Sequence, residues 1–144
     1  MGLFFYVSDD GQHGMEVSDP IPGCKLWGCW EKTLGTSIEI GTGKENTALM
    51  VQACEAGTAA HSANDFTLNG YDDWYLPSKK ELDLMYAQLD ILGNGNLYWS
   101  SSEGGLYSAW MLVFADSSSG FTGPGTWHDW NKENCDVVRP IRSF

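Results

Sequence analysis

Apolar positions occur in short runs near the start of the chain. Leu3 to Val7 is one such run, residues 8–11 form a turn-like Ser-Asp-Asp-Gly sequence, and Gly14 to Val17 is a second run. Short apolar runs bounded by turn residues are typical of β-strands. We therefore expect a hairpin over residues 3–18.

In the middle of the chain, the spacing of the apolar residues changes to the period of a helix. Residues 19–43 are rich in Pro and Gly and are predicted to be irregular, pinned by Trp27 and Trp30. Residues 45–56 favour a first helix, which Gly57 ends. Residues 78–90 favour a second helix, because they open with a Ser-x-x-Glu capping box and continue with apolar positions at i, i+3, i+4 and i+7.

The last third favours strands. Residues 98–101, 109–114 and 137–142 are strand candidates. Between the last two lies the polar, Gly-rich interval 117–134, which contains two Trp. An interval of that length in a small domain is either functional or contains strands that the pattern hides.

Composition points to one folded domain over residues 1–144. Hydrophobic residues make up 42% of the chain and charged residues 19%, so the chain is not of the disordered kind. The net charge of −11 excludes nucleic acids and anionic membrane surfaces as expected partners. No stretch is apolar for long enough to insert into a membrane, and the first residues lack the features of a signal peptide.

Cysteine and histidine spacing does not predict a metal site. Cys24 and Cys29 are five residues apart, and the sequence has no second closely spaced pair of Cys or His that could complete a metal site with them. One or two disulfides are plausible in an oxidising medium, and four Cys allow three pairings between which the sequence does not choose. We expect no cofactor and no metal.

Four segments in order carry a family resemblance: residues 69–82 (NGYDDWYLPSKKEL), 98–103 (YWSSSE), Ala109-Trp110 with Phe114, and 138–144 (VRPIRSF). Together they resemble the Lcl C-terminal domain family, named for the receptor-binding end of a bacterial collagen-like adhesin. The resemblance implies an α+β fold of the C-type-lectin-like kind, with small antiparallel sheets, two helices and long loops. In this interpretation the structural residues are Trp74, Leu76, Trp99, Trp110, Arg139 and Arg142. We expect seven residues to be mostly buried in the core: Trp74, Leu76, Leu82, Met85, Trp99, Trp110 and Phe114.

The sequence gives little support for catalysis or calcium binding. Residues 130–135 are similar to a lectin segment, but Lys132 stands where that segment has a ligand Asp. The turn at Trp74 also resembles that of the formylglycine-generating enzyme, which uses two Cys near its C-terminus. This chain has only Cys135 there, so we predict no catalytic residues and regard the Ser100-Ser101-Ser102 triplet as structural.

The candidate ligand contacts lie in the loops 103–134. Aromatic rings mixed with short polar groups suit both sugars and protein hot spots. The residues that meet this description are Tyr107, Trp127, His128, Trp130 and Asn131.

We expect a non-catalytic module that binds a cell-surface glycan or protein receptor. It would act as a homotrimer on a phage tail or fibre, or on a bacterial surface. The alternative is a structural virion or assembly protein that uses the same surface for subunit contacts. An enzyme related to formylglycine generation is a third and weaker hypothesis.

Overall fold

The computed structural model describes residues 3–88, 97–114 and 127–144. In chain order its elements are β1 (Leu3–Val7), β2 (Gly14–Val17), β3 (Lys25–Leu26), α1 (Gly43–Ala53), α2 (Ala59–Asn64), α3 (Lys79–Tyr86), β4 (Leu97–Glu103), β5 (Ser108–Val113), β6 (Trp127–Asn131), β7 (Cys135–Asp136) and β8 (Ile141–Ser143).

Three small antiparallel sheets organise the described residues. The strand orders are β1-β2-β8, β4-β5-β6 and the short pair β3-β7. This arrangement confirms the α+β class and the predicted hairpin over residues 3–18.

The C-terminal segment was predicted as one strand over residues 137–142, and it is instead divided. Val137 forms an isolated bridge with Tyr98, and β8 pairs with β2 beyond it. Pro140 lies between the two pairings and has no N–H to donate to a ladder. The chain end is nevertheless held in a sheet, because Phe144 exchanges backbone hydrogen bonds with Gly14.

The capping box of α3 is present as predicted. Ser78 Oγ accepts from the Glu81 N–H, and the Glu81 carboxylate accepts from the Ser78 N–H at 2.8 Å. The same carboxylate also accepts from the N–H groups of Gly41 and Gly43. One acidic side chain therefore caps α3 and binds the N-terminal end of α1. The helix ends at Tyr86, and the predicted residues 89–90 lie outside the described ranges.

The prediction of two helices was wrong, because the described residues contain three. Helix α2 carries only Ala, His, Ser and Asn side chains, so it offers no apolar period to recognise. Its three Ala residues are fully buried against the core. Helix α1 begins two residues before the predicted Glu45 and ends three residues before the predicted Ala56.

The predicted core is confirmed at all positions but one. Six of the seven residues are buried: Trp74, Leu76, Leu82, Met85, Trp99 and Phe114. Trp110 is only half-buried, because it lies on the α3 side of the sheet and meets a lysine there. Trp27, expected to pin the irregular region, is fully buried and donates from its indole nitrogen to the Ser100 carbonyl at 2.7 Å.

Two disulfides resolve the pairing that the sequence left open. They join Cys24 to Cys135 and Cys29 to Cys54. The first ties β3 to β7, and the second fixes the loop after Trp27 to the end of α1. The Ser100-Ser101-Ser102 triplet is buried, and its hydroxyls take part in hydrogen bonds to Trp110, Asn46 and Ser37.

The two C-terminal arginines are both buried but have different partners. Arg142 forms ion pairs with Glu16 and Asp73. Arg139 donates to the Ser18 carbonyl at 2.8 Å and to the Tyr98 hydroxyl. Within the described residues no carboxylate forms an ion pair with Arg139.

Candidate functional site

Four of the five predicted ligand contacts belong to one strand, not to a loop. Trp127, His128, Trp130 and Asn131 are in β6, which pairs with β5 from Leu112 to Ser108. The rest of the predicted loop, residues 115–126, lies outside the described ranges. Because side chains alternate along a strand, these four residues divide between two faces of the sheet.

The division between the faces is visible in the packing. Trp127 packs against the core cluster that contains Leu112 and Phe114, whereas Trp130 packs against the cluster that contains Ala109 and Met111. Asn131 shares the face of Trp127, and His128 shares the face of Trp130. The five predicted contacts therefore do not form a single ligand surface.

Trp127 belongs to a group of side chains beside α3, which we call the helix-side patch: Lys79, Asp83, Trp110 and Trp127. The Trp127 indole N–H donates to Asp83 Oδ1 at 2.9 Å. The Lys79 ammonium lies 3.8 Å from the Trp110 ring centroid and 5.2 Å from that of Trp127. Trp127, predicted to be a ligand contact, is half-buried, and the polar atoms near both indoles are already engaged within the fold.

Tyr107 and Asn131 lie at the opposite end of β6 from Trp127. Asn131 lies four residue steps along the strand from Trp127, a distance of about 13 Å. The Tyr107 ring is 48% exposed and meets Trp30 with centroids 4.7 Å apart and planes tilted by 52°. Leu106 is also exposed. We call these four residues, Trp30, Leu106, Tyr107 and Asn131, the hairpin-end patch.

A buried ammonium holds the hairpin-end patch from beneath. Lys132 is fully buried, and its Nζ lies 2.9 Å from the Lys32 carbonyl and 3.2 to 3.3 Å from the carbonyls of Leu106 and Cys29. Glu103 Oε2 completes the set at 3.2 Å. A buried charge is tolerated only when its donors are satisfied, so this set of oxygens joins the segments before and after Trp30 to the hairpin that carries Tyr107.

The carboxylate of Glu103 extends this network. Its Oε1 accepts from the Leu34 N–H at 2.8 Å and from the Thr36 hydroxyl. The Glu103 N–H in turn donates to the Thr36 hydroxyl at 2.8 Å. The irregular segment after Trp30 is thereby fixed to the end of β4.

The backbone on either side of Trp30 is strained. Cys29 has φ 56° and Glu31 has φ 64°, in the left-handed region that costs a residue with a Cβ about 1–2 kcal/mol. Such strain persists only where the surroundings impose it, and it is concentrated at functional sites. Here the Cys29–Cys54 disulfide and the Lys132 ammonium impose it, and Trp30 is the residue that they hold in place.

Asp136 is a buried carboxyl outside both patches. It lies in β7, is 4% exposed, and its Oδ2 has no hydrogen-bond partner within the described residues. Burial raises the pKa of Asp136 from 3.8 to about 7. Its titration therefore falls in a range where protein stability is easily measured.

Sequence reasoning missed the residues that build the hairpin-end patch. Trp30 was predicted only to hold the irregular region in place, and Lys132 was considered only because it replaces an Asp that would bind calcium. A Lys in the strand-ending sequence Trp-Asn-Lys, with Glu103 as an acid in the preceding hairpin, is a weak signal of a buried ion pair. The pattern alone could not show that the two meet.

Comparison of the sequence with models of known protein families gives no match, and no curated protein is similar enough to the chain to serve as a relative. Within the described ranges, no helix has the length and apolar character needed to cross a lipid bilayer.

Proposed function

We propose that this chain is a non-catalytic binding module that recognises a glycan or a protein surface through the hairpin-end patch. The observation that carries the proposal is the exposed Tyr107 ring, which packs on the half-buried Trp30 and is held in place by a buried ammonium and a disulfide. Exposed aromatic rings on a rigid base lose little entropy when a ligand stacks on them.

The surroundings of the patch favour an uncharged ligand over an anionic one. Glu31, Asp129 and Glu133 are exposed near it, and the whole chain carries −11. Anionic sugars would be repelled at such a surface. A neutral pyranose can stack on Tyr107 and accept from the Asn131 amide N–H groups, since the Asn131 oxygen already accepts from the Glu133 N–H at 2.7 Å.

The two disulfides support a location outside reducing compartments, because such bonds persist in oxidising surroundings. This agrees with the resemblance to surface adhesins and phage tail or fibre proteins. We retain the C-type-lectin-like fold as part of the proposal, supported by the small antiparallel sheets and the pairing of both chain ends in one of them.

The structural virion or assembly protein is the second candidate function. The apolar outer face of the β1-β2-β8 sheet, where Phe4 and Phe144 are exposed, favours it. The formylglycine-generating alternative gains no support, because all four cysteines are paired.

A glycan array that contains neutral, sialylated and sulfated oligosaccharides tests the proposal. We expect binding among the neutral glycans and its loss in Trp30→Ala, with the fold retained. Binding that Trp30→Ala leaves intact would contradict the role of the patch. Binding confined to sulfated glycans would contradict the charge argument.

A further inference from the structure

The outer face of the β1-β2-β8 sheet is unusually apolar. The register pairs Phe4 with Glu16 and Glu16 with Arg142, so these side chains share one face. The opposite face carries Phe5, Met15, Val17 and Ile141, which are buried in the core. The solvent side of such a sheet is ordinarily polar, yet here Phe4 is 64% and Phe144 is 45% exposed.

The exposed rings form one surface. The Phe4 and Phe144 centroids are 5.2 Å apart, and Tyr71 lies on the Arg142 guanidinium at 3.6 Å. A cavity of about 280 Å³ opens among these four residues and Glu16. We define the N-terminal face as this surface, which consists of Phe4, Val7, Tyr71, Arg142 and Phe144.

A second cavity, of about 430 Å³, lies on the other side of Phe144. Its apolar walls include Tyr6, Met15 and the exposed Ile40. Phe144 lines both cavities, so this exposed ring stands between two open apolar cavities. A contiguous exposed apolar surface of this kind marks an interaction site.

The charges on the two sides of Phe144 differ in sign. On one side Arg142 is bonded to both Glu16 and Asp73, so two carboxylates meet one guanidinium. On the other side the cavity is bordered by Lys44 and His13. Glu81 also lines that cavity, but its oxygens accept from three backbone N–H groups.

We propose that the N-terminal face is an interface between copies of this chain. A second copy supplies both the protruding rings and the cavities that receive them, and it can set the Lys44 side of one copy against the Glu16–Asp73 side of the other. Self-complementarity of this kind is what a closed homo-oligomer requires. The hairpin-end patch belongs to the other three-stranded sheet and its flanking loop, so several patches would act together and gain avidity.

Sedimentation equilibrium of the whole chain tests the proposal, at concentrations from about 1 to 100 µM, the range of weak specific contacts. The variant is Phe4→Asp, which changes an exposed side chain. The control is Leu49→Asp, an exposed position on α1 outside this face. A thermal melt of each protein monitors folding.

We expect the parent to sediment as a multiple of 15.9 kDa. Phe4→Asp should raise its dissociation constant at least about tenfold, and Leu49→Asp should leave it unchanged. A parent that stays at 15.9 kDa over the whole range overturns the proposal, and so does an assembly that Phe4→Asp does not weaken. If Phe4→Asp unfolds, Lys44→Glu supplies the same test through charge, with weakened assembly expected.

Discussion

The hairpin-end patch and the helix-side patch each have two aromatic rings and a lysine in or beneath them, but the lysine is used in opposite ways. In the helix-side patch the Lys79 ammonium lies over the indoles themselves, and Asp83 accepts the Trp127 N–H. In the hairpin-end patch the ammonium of Lys132 lies beneath the surface and binds backbone carbonyls. The first arrangement engages the rings within the fold, and the second leaves Tyr107 open to solvent.

If the proposed site is correct, an aromatic residue in a polar interval is not by itself a sign of a binding site. What decides is whether the fold already supplies the partners of the ring. Trp127 has a hydrogen-bond partner and a neighbouring cation. Within the described part of the chain, Trp30 is the one aromatic ring that Tyr107 meets, and about half of the Tyr107 surface is exposed.

The largest expected effect is that of Lys132→Met. Removing the ammonium leaves Glu103 and three carbonyls without their shared donor, which should lower the free energy of unfolding by about 3–5 kcal/mol. Urea denaturation measures this loss. Hydrogen exchange should show it first in residues 29–36 and 103–107.

The matched control is Lys80→Met. Lys80 forms an exposed ion pair with Glu39 at 2.9 Å, and such pairs contribute at most about 1 kcal/mol. If the two variants lose equal stability, the Lys132 ammonium does not organise the hairpin-end patch.

The second largest expected effect is a decrease in the free energy of unfolding as the pH rises. Asp136 has a folded pKa of about 7 against 3.8 when unfolded. Between pH 4 and pH 7 the folded chain keeps a proton that the unfolded chain has lost, so the free energy of unfolding decreases by up to about 4 kcal/mol over that range. Asp136→Asn should remove most of this slope in urea titrations, whereas the exposed Asp72→Asn should not.

Asp73 has the opposite effect on stability, and it does so in a lower pH range. Its hydrogen bond to Arg142 holds the pKa of Asp73 below its usual value, so its contribution is present above about pH 4 and is lost in more acidic solution. A parent whose stability is flat from pH 4 to pH 7 would contradict the assignment of Asp136.

The smallest expected effect is that of Trp127→Phe. The change keeps a ring against the core but removes the indole N–H that Asp83 accepts, so we expect a loss of about 1 kcal/mol in the free energy of unfolding. Asp83→Asn should lower stability by a similar or smaller amount. A loss several times larger would mean that Trp127 is a core residue and not a member of a half-buried patch.

Local signals predicted much of the fold. The capping box at Ser78 and Glu81 located α3, and the short apolar runs located β1, β2, β4 and β5. Helix α2 was not predicted, because its contacts are made by small buried side chains that leave no apolar period in the sequence. Strand β6 was not predicted either. Both of its faces are only partly covered, so its sequence Trp-His-Asp-Trp-Asn is polar and lacks the apolar pattern of a buried strand.

The candidate site was less predictable than the fold. Tyr107 and Asn131 were recognised by residue type, but the contact of Tyr107 with Trp30 joins residues about 77 positions apart. The lysine that fixes this association offers no local pattern either, because its four oxygen partners are three backbone carbonyls and one distant carboxylate.

The central claim is that the ligand binds at the hairpin end and not beside α3. Its most direct test is a calorimetric titration of the best array ligand into Tyr107→Ala and into Trp127→Ala, with the melting temperature of each. We predict that Tyr107→Ala weakens binding about 10- to 100-fold with little change in melting temperature, and that Trp127→Ala lowers the melting temperature with affinity intact per folded molecule. The reverse result would place the site beside α3 and contradict the account.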